Sequence, residues 1–132
     1  MTLVDSSVLI DYFNGIKNLH TEELDKILGN EIVVSGDYIL AEILQGFRND
    51  SDFKVAKEYL QSFPCFNLCN ETIAMKSAEN YRLLRKKGKT IRKTIDLIIG
   101  TFCIENDIEL LHNDRDFDPM EKFLGLKVRK VY

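Results

Sequence analysis

Cysteine and histidine are scarce in these 132 residues, and the scarcity closes off two kinds of chemistry. The three cysteines, Cys65, Cys69 and Cys103, are odd in number and lack paired C-x-x-C spacing. A disulfide framework and a thiolate metal site are therefore not expected, and buried apolar packing is the expected role. Only His20 and His112 are present, which argues against a histidine-rich metal centre. His112 is expected to end a strand, close enough to Asp114 for a place at the edge of a site. No stretch approaches the roughly 18 to 20 apolar residues of a membrane span. Met1 to Asp5 lacks both the basic segment and the apolar run of a secretory leader. A cytoplasmic protein with no membrane attachment is the expectation. Internal repeats, linkers and low-complexity segments are also missing.

What is present suits one globular domain over residues 1–132: 45% hydrophobic residues and 30% charged. Eighteen basic residues against twenty-one acidic give a formal net charge of −3, which argues against a general nucleic-acid binder. The distribution says more. Seven of the basic residues, Arg82, Arg85, Lys86, Lys87, Lys89, Arg92 and Lys93, fall between Asn80 and Asp96 with no acid among them. The remainder is strongly acidic. A local basic patch beside an acidic site suits a phosphodiester held electrostatically. The same patch also reads as a solvated helix end, where cations complement the carboxyl terminus.

Hydrophobic periodicity orders the chain as alternating strands and helices. Thr2-Leu3-Val4 and Glu31 to Val34 read as strands, the second turning through Ser35-Gly36-Asp37. Helices are expected over Ser6 to Asn14, Thr21 to Leu28, Ile39 to Phe47, Asp52 to Phe63 and Asn70 or Glu71 to Lys87. Pro64 and Gly88 act as stops for the last two. Cys65 to Leu68 is a candidate third strand. Thr94 predicts an N-cap for a helix through Ile104 that is apolar nearly all round and so central. Ile108 to Leu111 predicts a further strand, residues 112–119 a polar loop, and Leu126 to Val131 a last edge strand. This order implies an α/β fold of three layers, α/β/α, with a mostly parallel central sheet.

Four carboxylates stand at strand ends or helix starts: Asp5, Glu42, Asp96 and Asp114. In open α/β sheets the ligand crevice lies at the carboxyl ends of strands. Glu42 falls about 60° outside the apolar arc of its helix, at the rim of the buried face. An ordinary boundary glutamate would look the same. Asp96 in a first helical turn meets the helix macrodipole favourably, yet a buried acid there needs partners, which a metal or neighbouring donors supply. Acids with little histidine and cysteine fit a hard cation such as Mg²⁺, with Mn²⁺ also accepted.

The ordered set, Asp5 with Ser7, then Glu42, then Thr94-Ile95-Asp96-Leu97-Ile98-Ile99, then Leu110-Leu111-His112-Asn113-Asp114-Arg115-Asp116-Phe117, resembles a PIN domain. In particular it resembles the toxin ribonuclease of VapBC-type toxin–antitoxin pairs. The likeness extends over essentially the whole chain, although no single motif in it is specific. It implies that Asp5, Glu42, Asp96 and Asp114 form an acidic cluster for Mg²⁺ or Mn²⁺, with Ser7 supporting Asp5 and Asp116 acting through a second metal or water. It further implies RNA hydrolysis to a 5′-phosphate and a 3′-hydroxyl, acting on transfer RNA or ribosomal RNA. Basic residues Lys86, Lys87, Lys89, Arg92 and Lys93 would lie near the RNA path, and a VapB-type antitoxin and a homodimer are implied partners. Two other classes remain open: a non-catalytic RNA- or protein-binding module of the same fold, and a receiver-like phosphoacceptor. The latter expects an acidic pair after the first strand, where Ser6 and Ser7 follow Asp5.

Overall fold

The chain opens by committing three apolar or β-branched residues to the middle of a sheet. The computed structural model describes residues 1–132, and β1 (Thr2–Val4) is buried throughout. It pairs in parallel with β2 (Val33–Gly36) on one side and β4 (Glu109–Leu111) on the other, with Leu3 opposite Val34 and Leu110. β3 (Cys65–Phe66) pairs in parallel with β2, giving the order β3-β2-β1-β4. Strands buried on both faces read as continuous apolar runs, as Leu3-Val4 and Leu110-Leu111 do.

Seven helices fill the connections: α1 (Ser6–Phe13), α2 (Leu19–Ile27), α3 (Asp37–Gln45), α4 (Asp50–Gln61), α5 (Glu71–Lys86), α6 (Thr94–Glu105) and α7 (Asp118–Leu124). The first two crossovers step outward from β1 to β3, and the third returns past β1 to β4. Right-handed crossovers then put α1–α4 on one face and α5 and α6 on the other. The packing agrees, since α1 meets α2 and α3, α3 meets α4, and α5 meets α6 and α7. The expected α/β/α layering with a parallel sheet is found. Strand order reverses between β1 and β4, which creates a crevice at their carboxyl ends.

The central helix is α6, which buries Leu97, Ile99, Phe102 and Cys103 against the sheet side of the core. Asn80 of α5 donates to Thr101 Oγ1 of α6 at 3.1 Å, so the buried polar pair is mutually satisfied. Gly36 is needed where β2 passes into α3, because Leu68 packs so closely that a Cβ would lie 2.6 Å from its Cγ.

Several local expectations change. α2 begins at Leu19, two residues before the expected start at Thr21, and the Asn18 and Thr21 side chains form a reciprocal capping box. Lys93 precedes α6 and offers no side-chain cap, so Thr94 is its first residue. β2 passes into α3 without an intervening turn. Part of the polar segment 112–119 is ordered as a 3-10 turn over Arg115–Phe117 and the start of α7. Pro119 sits in the first turn of α7, where its missing N–H costs nothing, and Gly125 at φ 78° ends the helix. The expected last edge strand reduces to one parallel bridge between Leu110 and Val128. Its tail is fastened by Arg129, which pairs with Glu31 at 2.7 Å and Glu109 at 3.3 Å. Cys103 is buried as expected, but Cys65 is exposed and Cys69 only partly covered. Cys65 lies on a two-residue strand at the sheet edge, which has no neighbour on its outer side.

Candidate functional site

Asp5 leaves β1 as the N-cap of α1, so its carboxylate is held before any ligand is considered. Oδ2 accepts from the Ser7 backbone N–H at 3.0 Å and from the Ser7 hydroxyl at 2.7 Å. The Ser7 oxygen in turn accepts from the backbone N–H of Asn113, beyond β4, at 2.9 Å. One hydroxyl thus joins the two strand ends that flank the crevice. Asp5 Oδ1 is buried and has no partner. Burial pushes this carboxyl's pKa up, and the Ser7 bonds oppose the shift.

Asp96 enters from the first turn of α6 and is 4% exposed. Its Oδ2 is also buried without a partner. Burial first, then the charges of Asp5 and Asp114, push its pKa up to about 7, against the pull of Lys93. Glu42, on α3, accepts from the Ser6 hydroxyl at 3.5 Å. Burial and the charge of Asp5 raise its pKa too. Burial is the first cause of all three shifts, and for Asp96 and Glu42 the charges of neighbouring carboxylates add to it by disfavouring the ionised form.

Asp114 caps the 3-10 turn by accepting from the Asp116 N–H at 2.9 Å. Its own N–H donates to His112 Nδ1 at 3.1 Å. That geometry assigns Nδ1 as an acceptor, and burial lowers the pKa of the imidazole. His112 lies just after β4, with its ring 4.8 Å from that of Phe117.

One carboxylate oxygen each from Asp96, Asp114 and Asp116 lie within 4.8 Å of one another. The tightest trio thus includes Asp116, which the sequence placed in a secondary role. Asp5 and Glu42 lie outside that trio and act on Asp96 through charge. The donor set is entirely oxygen and crowded with negative charge, and Asp96 Oδ2 within it and Asp5 Oδ1 outside it are buried without partners. Those properties fit a hard divalent cation.

The basic residues divide. Arg92 reaches the cluster, with NH2 3.4 Å from Asp116 Oδ1, and Lys93 acts by charge on Glu42 and Asp96. Lys87 instead lies over the Phe123 ring, with Nζ 5.2 Å from its centroid. Lys86 and Lys89 are exposed. Ser6 and Asn113 take part in the hydrogen bonding around the site without having been singled out. Nothing in a lone serine or in a backbone N–H signals such a role before the fold is known. The receiver-like alternative finds no support, because Asn67 follows β3 where a phosphoacceptor aspartate would be needed.

The family profile described as PIN domain matches residues 2–122. A VapC ribonuclease of Mycobacterium bovis is 26% identical over 129 residues, covering 96% of each chain. Among solved structures, VapBC2 from Rickettsia felis, bound to a DNA fragment from its promoter, superposes with a TM-score of 0.77 at 15% identity, covering 97% of this chain and 96% of that one. VapBC-1 from nontypeable Haemophilus influenzae gives 0.74 at 19% identity, covering 98% and 96%.

Proposed function

The chain belongs to the PIN-domain family, and from that premise we propose that it is a metal-dependent endoribonuclease, the toxin of a VapBC-type pair. The observation that carries this reading is the convergence of the Asp96, Asp114 and Asp116 carboxylates beside two buried, unpartnered oxygens at the sheet's switch point. The ribonuclease named among its relatives supports the same reading.

In this proposal Asp96, Asp114 and Asp5 are the principal ligands of Mg²⁺ or Mn²⁺, and Asp116 joins them directly or through water. A bound divalent ion acidifies a coordinated water and neutralises charge developing on a phosphate. The chain's own residues do the rest. Ser7 fixes the Asp5 carboxylate, leaving Oδ1 free to face the site. Glu42, whose pKa is raised, is suited to orient the attacking water and accept its proton. Lys93 and Arg92, with Lys86 and Lys87 at the end of α5 and Lys89 on the loop after it, supply positive charge for the flanking phosphates. The three acids would hold the ion between them, and because water is the nucleophile no covalent protein nucleophile is required.

The reading extends to a single nuclease domain over residues 1–132, a transfer-RNA or ribosomal-RNA substrate, a cytoplasmic setting, a homodimer and a VapB-type antitoxin. VapBC structures among its fold neighbours support the antitoxin partner. No helix is long and apolar enough to cross a membrane.

Its test is cleavage of a mixed transfer-RNA and ribosomal-RNA pool by antitoxin-free protein with Mg²⁺ or Mn²⁺, with EDTA, and with Asp96→Asn purified identically. Metal-dependent cuts that vanish in the variant are expected. Folded protein that binds RNA but cuts nothing under any condition would indicate a binding module instead.

A further inference from the structure

The loop joining α5 to α6 approaches the acidic cluster from outside and is pinned by Ile91, which is 4% exposed. Beyond that anchor come two consecutive cations. Lys93 acts on Glu42 and Asp96 through charge. Arg92 makes contact, with its NH2 3.4 Å from Asp116 Oδ1.

The two members of that pair are unequally held. The Asp116 side chain is 15% accessible, and its backbone N–H is bonded to Asp114 Oδ1 at 2.9 Å. The Arg92 side chain is 81% accessible, and Asp116 is its hydrogen-bond partner through one guanidinium nitrogen. A single long bond from an exposed guanidinium is weak and readily exchanged. Asp116 also belongs to the carboxylate trio whose oxygens lie within 4.8 Å of one another. The arginine and a divalent cation therefore compete for one carboxylate.

We infer that Arg92 is a positioning residue: it is the resident counter-ion of Asp116 in the cation-free protein, is displaced when a divalent cation enters, and then presents its guanidinium to a substrate phosphate. The inference rests on the metal-dependent reading above and adds to it an order of events. Arg92 weakens cation binding before substrate arrives and strengthens substrate binding afterwards. Lysine would serve less well, since a guanidinium can pair with either a carboxylate or a phosphate in the same planar geometry.

The test is Mn²⁺ titration of the full chain without RNA, followed by electron paramagnetic resonance, for wild type, Arg92→Gln, Lys89→Gln and Asp96→Asn. Lys89→Gln removes the same charge from the same loop without touching the acids. Arg92→Gln should bind Mn²⁺ about two- to fivefold tighter than wild type, the range set by an exposed ion pair. Lys89→Gln should match wild type, and Asp96→Asn should bind more weakly. At saturating Mn²⁺, Arg92→Gln should raise KM for RNA several-fold and leave kcat close to wild type. Equal affinity in wild type and Arg92→Gln, or an equal gain in Lys89→Gln, would overturn the counter-ion role while leaving the metal site standing. Failure of every protein to bind Mn²⁺ would overturn both readings.

Discussion

The Ser7 hydroxyl donates to Asp5 Oδ2 at 2.7 Å and, with the same oxygen, accepts the Asn113 backbone N–H at 2.9 Å. Two strand ends 106 residues apart in the chain are thus tied through one side chain. Ser7→Ala would leave the Asn113 N–H without this partner and Asp5 with one donor fewer. A loss of about 1–2 kcal/mol is expected, read from urea unfolding midpoints. Activity should fall as well, because the Asp5 carboxylate would be free to rotate.

At Asp96 stability and function conflict. Asp96→Asn keeps the shape of the side chain and removes a charge that burial, Asp5 and Asp114 all disfavour. The variant should lose RNA cleavage by about 100-fold or more. The metal-free variant should nevertheless be more stable than wild type by on the order of 1 kcal/mol. Calorimetry in EDTA at neutral pH provides the check.

The same group sets a pH dependence. Its folded pKa of about 7 lies above the ordinary value of 3.8, so between these values the folded protein binds more protons than the unfolded chain. Stability therefore falls as pH rises through that window, and the destabilisation is complete above it. The stability gap between Asp96→Asn and wild type, in EDTA, should be near zero at pH 4 and widen toward pH 8. Saturating Mn²⁺ should reverse the trend, stabilising wild type most at pH 8, where the acids are ionised. Urea midpoints across this pH range measure both effects.

Sequence periodicity sufficed for the elements that pack, because a helix such as α5 and a strand such as Leu110-Leu111 must bury apolar positions at fixed spacing. It failed where polar residues were ordered by local hydrogen bonds. Segment 112–119 looked like a loop since its aspartates and Pro119 are turn formers, yet Asp114 caps a 3-10 turn and Pro119 opens α7. At the site, Asp5, Asp96 and Asp114 could be singled out because each follows a strand or starts a helix, whereas Glu42 lies inside α3 and stood out only by its angle to the apolar face. Which carboxylates approach most closely was not legible. Asp116 reaches the trio because the 3-10 turn folds back on Asp114, a detail that no spacing rule supplies. The basic loop was visible as a charge cluster, but the separation of Arg92, facing Asp116, from Lys87, facing Phe123, depends on tertiary packing.

Gly36 tests the framework independently of the chemistry. Leu68 is fully buried against it, and the Cβ of Gly36→Ala would meet Leu68 Cδ1, Cγ and Cδ2 at 2.5, 2.6 and 2.8 Å. The whole side chain, rather than its tip, would have to move. A loss of about 1–3 kcal/mol is expected, measured by thermal unfolding. Gly36→Ala,Leu68→Ala should recover part of the overpacking cost, so that the double variant is more stable than the sum of the two single losses predicts.

The clustered acids at the carboxyl ends of β1 and β4 are expected to hold a divalent cation. Anomalous diffraction at the manganese edge from crystals grown with Mn²⁺ tests this expectation most directly. A peak is expected within about 2.0–2.3 Å of carboxylate oxygens of Asp96 and Asp114, with Asp5 or Asp116 bound directly or through water. Well-ordered crystals showing the same fold, with these carboxylates visible and no anomalous peak among them at saturating Mn²⁺, would contradict it.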